Sequence, residues 1–262
     1  MNAAPGARVP VRAFDWLAPD WQAPGVGALM TTRAGGVSAA PFDSLNLRAA
    51  VGDDAAAVAH NQRIVAEAIG ATPVYLNQVH GREVVRLTAA DALPDAAIHT
   101  ADASFTTEPG IACAAQVADC LPVLFAAPGA RAVGAAHAGW RGLALGVLEA
   151  TLHSVCEAAG CEPHEVRAWL GACIGPTRFE VGPDVLAAFE AAPGSARFRP
   201  QGSGKWLADL PGLARDRLRA AGVLDVSGGR WCTVSAPSQF FSFRRDRVTG
   251  RMAALVWIER LG

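Results

Sequence analysis

The stretch from Ile111 to Ala138, IACAAQVADCLPVLFAAPGARAVGAAHA, carries only two charged residues, Asp119 and Arg131. A strand with one face in water alternates apolar with polar side chains, whereas here both alternating sets are apolar. Such strands must be covered on two sides. Comparable runs at Val84 to Leu87, Ile111 to Gln116, Pro122 to Ala126, Ala132 to His137, Val166 to Leu170, Trp231 to Val234 and Ala253 to Ile258 are the expected strands. Helical patterns separate some of them but not all. Strict strand–helix alternation is therefore absent, and the expected fold is α/β of the α+β type, with packed mixed sheets and helices outside. No linker interrupts residues 1–262, which read as a single domain.

Helix ends are marked by residues that satisfy free backbone groups. Asp53 or Asp54 caps a helix carrying Val58, Ile64, Val65 and Ile69, and Gly70 ends it. A second helix begins near Trp140, with Leu145, Leu148, Leu152 and Val155 on one stripe before Gly160. Shorter helices are expected over Pro183 to Ala192 and over Leu210 to Ala221, the latter capped by Asp209 and stopped by Gly222. Residues Ala191 to Lys205, rich in Gly, Pro and Ser, read as a surface loop.

At 51% hydrophobic and 18% charged residues the chain can bury a large core. A net charge of -1 supplies no positive field for a phosphate backbone, so nucleic acid is not an expected partner. The proline-broken start, with Pro5, Pro10, Pro19 and Pro24, lacks the basic and apolar regions of a secretory signal, and no apolar run reaches the roughly 18 residues of a membrane span. A cytoplasmic, membrane-free monomer is expected. Six cysteines without a C-x-x-C pair are too sparse for a disulfide scaffold and fit reduced core residues.

Two of the six histidines adjoin glycine at the ends of apolar segments, His80 in LNQVHG and His137 in AAHAGWRG; Cys120 follows Asp119 where one strand stops and the next starts. Two imidazoles and a thiolate suit Zn²⁺ and also accept copper, and three protein ligands leave a fourth position open for catalysis. Spacing alone does not decide it: positions 80, 120 and 137 match no local metal motif, and a histidine at a strand end or a lone cysteine serves structure as readily. The phosphate-binding loop, nucleophile elbow, HExxH and nucleobase-deaminase signatures are missing, as are the His-x-His pairs of a trinuclear copper cluster. Arg33, Asn46, Arg141, Glu180, Arg244 and Arg245 stand near glycines as further candidates, Arg141 at a helix start where an anion could bind.

Together the segments TTRAGGVS, SLNL with VGDD, NQVHG, QVADCLPVLF, AAHAGWRG, GACIGPTRFEVG, KWLADL, FFSFRRD and TGRMAALVWI resemble, in order and over almost the whole chain, the YfiH family, also called laccase-domain or FAMIN-like proteins. The resemblance implies a CNF/YfiH-like layout of mixed sheets and a metal held by His80, Cys120 and His137. It implies a purine nucleoside phosphorylase acting on adenosine, inosine and methylthioadenosine with phosphate as co-substrate, and an added adenosine deaminase activity. On this reading His80, Cys120, His137, Arg141 and Asn46 are catalytic, and Arg33, Asn46, Gln78, Arg141 and Glu180 bind substrate, the arginines Arg33 or Arg141 holding phosphate. Where relatives often carry a glycine and a histidine this chain has Arg48 to Ala50, a loop left without a role. Alternatives are a cysteine hydrolase or amidase using Cys120 with His80 or His137, for instance in peptidoglycan precursor editing, a copper-dependent phenol oxidase, and a metal-binding protein without catalysis.

Overall fold

The computed structural model describes residues 14–190 and 195–260. The doubly apolar strands are accounted for by a layered arrangement. Strands β1 (Val26–Met30), β2 (Thr72–Val74), β5 (Ile111–Val117) and β13 (Met252–Ile258) form a four-stranded sheet in the order β1-β13-β5-β2. Strands β3 (Val84–Arg86), β4 (Ala103–Thr106), β6 (Leu121–Ala126), β7 (Val133–Ala138), β8 (Arg167–Leu170) and β12 (Asp225–Gly228) form a six-stranded sheet in the order β12-β8-β6-β7-β4-β3. Both sheets mix parallel and antiparallel pairs.

The sheets face each other. Cys113, Ala115 and Val117 of β5 and Ala254 and Val256 of β13 pack in one cluster with Leu124, Val133, Ala135 and Trp169 of the larger sheet. The alternate residues point the other way: Ala112, Ala114, Ala253 and Leu255 pack with Val65 and Ile69 of helix α1 (Ala55–Ile69). On the far face of the larger sheet, Leu121, Val123, Phe125 and Ala136 pack with helices α3 (Val147–Ala159) and α5 (Leu210–Ala220). Each central strand thus lies between a sheet and a helix, so its two faces are both apolar. Full burial of a large apolar side chain contributes about 1.5–3 kcal/mol, and the interior holds many of them.

Helix α1 is capped by Asp54, which accepts from the Ala56 N–H, and it ends at Gly70 in the left-handed conformation. Asp209 likewise caps α5 through the Gly212 N–H. The helix from Trp140 differs from expectation. It is split into α2 (Trp140–Leu145) and α3 by Gly146 at φ 92°, and Leu145 is left 56% exposed. The buried stripe is therefore Val147, Leu148, Leu152 and Val155. Helix α4 (Pro183–Ala188) ends before the expected Ala192, and positions 191–192 lie outside the described residues.

The expected loop at 191–205 is partly a hairpin. Positions 191–194 lie outside the described residues, but β10 (Phe198–Gly202) pairs antiparallel with β11 (Lys205–Ala208), which in turn pairs with β9 (Glu180–Val181). Its glycines, with Ser203, supply the positive φ angles of the tip. Conversely, Trp231 to Val234 is no ladder strand: only Cys232 bridges, to Cys173, and the Arg245 guanidinium donates to the Thr233 and Val234 carbonyls in place of a neighbouring strand. Of the N-terminal prolines, Pro5 and Pro10 lie outside the described residues. Among those described, no helix is long and apolar enough to cross a membrane.

Candidate metal centre

Sheet topology gathers the candidate ligands. In the larger sheet β3, β4, β7 and β6 are successive neighbours, with Val84 paired to Ala103, Ala103 to Ala136 and Pro122 to His137. The residues just before β3, β4 and β6 therefore converge with the end of β7. They include His80, Asp102, Cys120 and His137. Ligand atoms of His80, Cys120 and His137 lie within 4.8 Å of one another, and His80 Nε2 is 3.7 Å from Cys120 Sγ. All six histidines and six cysteines are among the described residues, and only these three form such a group.

Asp102 holds the His137 ring and the His80 main chain, although nothing in the local sequence HTADAS singles it out. Its buried carboxylate accepts from the N–H groups of Val79 (3.1 Å), His80 (2.9 Å) and Gly81 (2.6 Å) and faces His137 Nδ1 at 2.8 Å. Three convergent N–H groups form an anion-binding nest that stabilises His80 at φ 63°. The bond to Nδ1 fixes the His137 ring and leaves Nε2 to act as the ligand, as a carboxylate does for a metal-bound histidine. Asp119, at φ 93°, plays the corresponding part for Cys120: its carboxylate accepts from the Thr233 hydroxyl and from the Arg244 N–H at 2.6 Å.

Glycine keeps the site open. A Cβ on Gly139 would lie 2.8 Å from His80 Cδ2, closer than real contacts allow, and a tight 3.0 Å from Cys120 Sγ. Burial by itself would push the Cys120 thiol up, but the neighbouring His137 and His80 outweigh it and bring it down to about 6. Burial pushes His137 down, and the Cys120 sulfur and Asp102 raise it to about 9. Both shifts favour a thiolate beside an imidazolium when no metal is bound. A metal replaces that proton, since ligation needs the thiolate and the neutral ring.

The trio borders a cavity of about 380 Å³ that is also lined by Arg48, Gln78, Gln116, Phe243 and Arg251. Of the residues nominated from sequence, His80, Cys120, His137 and Gln78 meet here. The Gln78 amide is already engaged at both ends by the Gln116 main chain, at 2.8 Å each. Asn46 is fully buried and does not line the cavity; it bonds the backbones of two residues that do, Arg48 and Arg251. Arg33 borders a different recess, where it pairs with Asp43 at 3.2 Å and stacks on Phe241. Arg141 stacks on Trp140, and exposed Glu180 offers its carbonyl to Arg244; neither lines the cavity. The cations beside the trio are instead Arg48, from the loop left without a role, and Arg251, whose proximity is hidden by chain separation.

Residues 27–259 match the family described as multi-copper polyphenol oxidoreductase laccase. A purine nucleoside phosphorylase of Pseudomonas aeruginosa is 50% identical, the alignment covering 93% of this chain and 98% of that protein. Purine nucleoside phosphorylase YfiH of Escherichia coli is 46% identical over 92% of this chain and 98% of its own. Among solved structures, a Neisseria meningitidis protein of the DUF152 family superimposes with a TM-score of 0.87 at 47% identity, covering 94% of this chain and all of that one. YlmD from Geobacillus stearothermophilus gives 0.84 at 34% identity, covering 90% and 93%.

Proposed function

The chain belongs to the multi-copper polyphenol oxidoreductase laccase family and is similar to YfiH of Escherichia coli over most of its length, and from that premise we propose that it is a metal-dependent purine nucleoside phosphorylase. The observation that carries the reading is the His80–Cys120–His137 group opening onto a nucleoside-sized cavity, in a chain whose curated relatives are named for that activity. The donor set fits zinc, and copper also: two imidazoles and a thiolate, one imidazole anchored through Asp102, with no fourth protein ligand in the group. When bound, such an ion supplies a positive centre that stabilises charge developing on a reacting oxygen or nitrogen.

In phosphorolysis a phosphate oxygen forms the new bond to C1′ of the ribose while the C1′–N9 bond breaks, and the departing base takes up a proton. Within the cavity, exposed Phe243 offers an aromatic face for the base, and Asp102 holds His137 and the His80 loop in register with the reacting centre. Adenosine deaminase activity at the same centre exchanges the C6 amino group for the oxygen of water and releases ammonia. Adenosine, inosine and methylthioadenosine are the substrates assigned.

Six free thiols fit the reducing cytoplasm. One further reading has a specific observation behind it: Cys120, His137 and Asp102 are also disposed as a thiol–imidazole–carboxylate triad. The deciding experiment measures free base released from the three nucleosides with and without phosphate, on protein whose bound metal is quantified. Phosphate-dependent release that disappears in Cys120→Ala together with the metal supports the phosphorylase. A covalent adduct on Cys120 in metal-free protein that hydrolyses an amide supports the hydrolase.

A further inference from the structure

Arg48 and Arg251 come from loops about 200 positions apart, yet one buried side chain sets them together: Asn46 Oδ1 accepts from the Arg48 N–H at 3.1 Å and from the Arg251 N–H at 2.8 Å. The Asn46 amide is itself fixed, donating to the Arg48 carbonyl at 3.0 Å and to Asp53 at 2.8 Å. Both guanidinium groups are partly buried and line the cavity of the His–Cys–His group. Neither has an ion-pair partner among the described residues. Arg48 reaches only the Gln116 side chain, at 3.5 Å, and Arg251 uses one nitrogen for the carbonyls of Thr249 and Gly250.

Two like charges drawn partly out of water with no carboxylate in direct contact are unfavourable. Burial, and for Arg251 the adjacent Arg48, push the guanidinium groups below their usual range, outweighing Asp102 near Arg48 and Cys120 and Asp119 near Arg251. A site that keeps such a pair is complementary to an anion that both can reach, and planar guanidinium forks match tetrahedral oxyanions through paired N–H donors. The other nominated cations lack this opening: Arg33 is occupied by Asp43 and two carbonyls, and Arg141 lies outside the cavity.

We infer that Arg48 and Arg251 form the oxyanion clamp that binds inorganic phosphate beside the His80–Cys120–His137 centre, with Asn46 as the residue that positions both. The assignment rests on the phosphorylase reading for its choice of anion. It gives the Arg48 to Ala50 segment a definite part: it presents the substrate anion.

The test combines titration calorimetry of inorganic phosphate into the metal-loaded protein with steady-state kinetics, for wild type, Arg48→Met, Arg251→Met, Arg48→Lys and the double Met variant. Loss of a charge-assisted pair of bonds should weaken phosphate binding about tenfold or more in each single Met variant. The KM for phosphate should rise in parallel and the KM for nucleoside stay within about threefold. Arg48→Lys should recover part of the loss, because it restores charge without the fork. Asn46→Ser should raise the phosphate KM with the nucleoside KM unchanged, a split that general loosening of the fold would not give. Arg48 lies on a half-exposed loop, so its variants remain informative even if Arg251→Met fails to fold.

Wild-type phosphate affinity in the folded double variant overturns the clamp, as does a folded wild-type protein that binds no phosphate. Phosphorolysis with an unchanged phosphate KM in the double variant would reject the clamp and keep the phosphorylase. Arginine-dependent phosphate binding without turnover of any nucleoside would keep the clamp and reject the phosphorylase.

Discussion

Replacing Asp102 by Asn tests how the centre is built while barely changing the volume of the side chain. In the native chain one carboxylate oxygen takes the His80 N–H and His137 Nδ1, and the other takes the N–H groups of Val79 and Gly81. All four point at the carboxylate. Whichever way the new amide turns, its NH₂ meets two donors, so two charge-assisted bonds are lost, each worth about 1.5–3 kcal/mol. Relaxation of the exposed 79–81 loop recovers part of this. The His137 ring also loses its anionic anchor, and outer partners of this kind typically govern metal affinity by about 10- to 100-fold. Asp102→Asn should therefore bind zinc about 10- to 100-fold more weakly in competition with a chromophoric chelator, at constant pH and with the far-ultraviolet dichroism of the wild type. Unchanged zinc affinity in a folded variant would refute the orienting role.

Gly139→Ala should also lower zinc affinity with the fold retained, because its methyl group meets Cys120 Sγ and His80; chelator competition reads it out. Phe125→Ala should cost about 3–5 kcal/mol in urea unfolding, since the ring is wholly buried between the larger sheet and its helices. Burial pushes the Cys113 thiol up to about 12, so at pH 8 a thiol reagent should leave it unmodified in the native protein and label it after unfolding. The Arg197 guanidinium holds the Asp216 carboxyl below its ordinary value of 3.8. The resulting stability is present above that value and lost as pH falls through the depressed one. Asp216→Asn should thus lower Tm by about 1–3 °C at pH 7, this being a surface pair, and by less near pH 2.

Much of the layering was legible because burial on both faces leaves no polar alternation: the runs at Ile111, Leu121 and Met252 could only be interior strands. Helix ends declared themselves through Asp54, Gly70 and Asp209. Short strands such as β2 and β9 carry too few residues for a periodic signal, and they exist because a longer neighbour supplies their hydrogen bonds. At the site, His80, Cys120 and His137 were identifiable through motif order rather than spacing, for they meet only by strand adjacency. Asp102 and Arg251 escaped because each looks locally like any surface charge, and Arg48 stood only in a loop without a role. Arg33 and Arg141, conspicuous beside glycines, have partners away from the cavity.

The central claim is most directly tested by the identity of the sugar product. Metal-loaded protein incubated with inosine and phosphate should give hypoxanthine together with a new sugar-phosphate resonance in the ³¹P NMR spectrum, assignable to ribose 1-phosphate and absent with Cys120→Ala. Hypoxanthine released with free ribose while the phosphate signal stays constant, or no release by fully metallated protein, would contradict it.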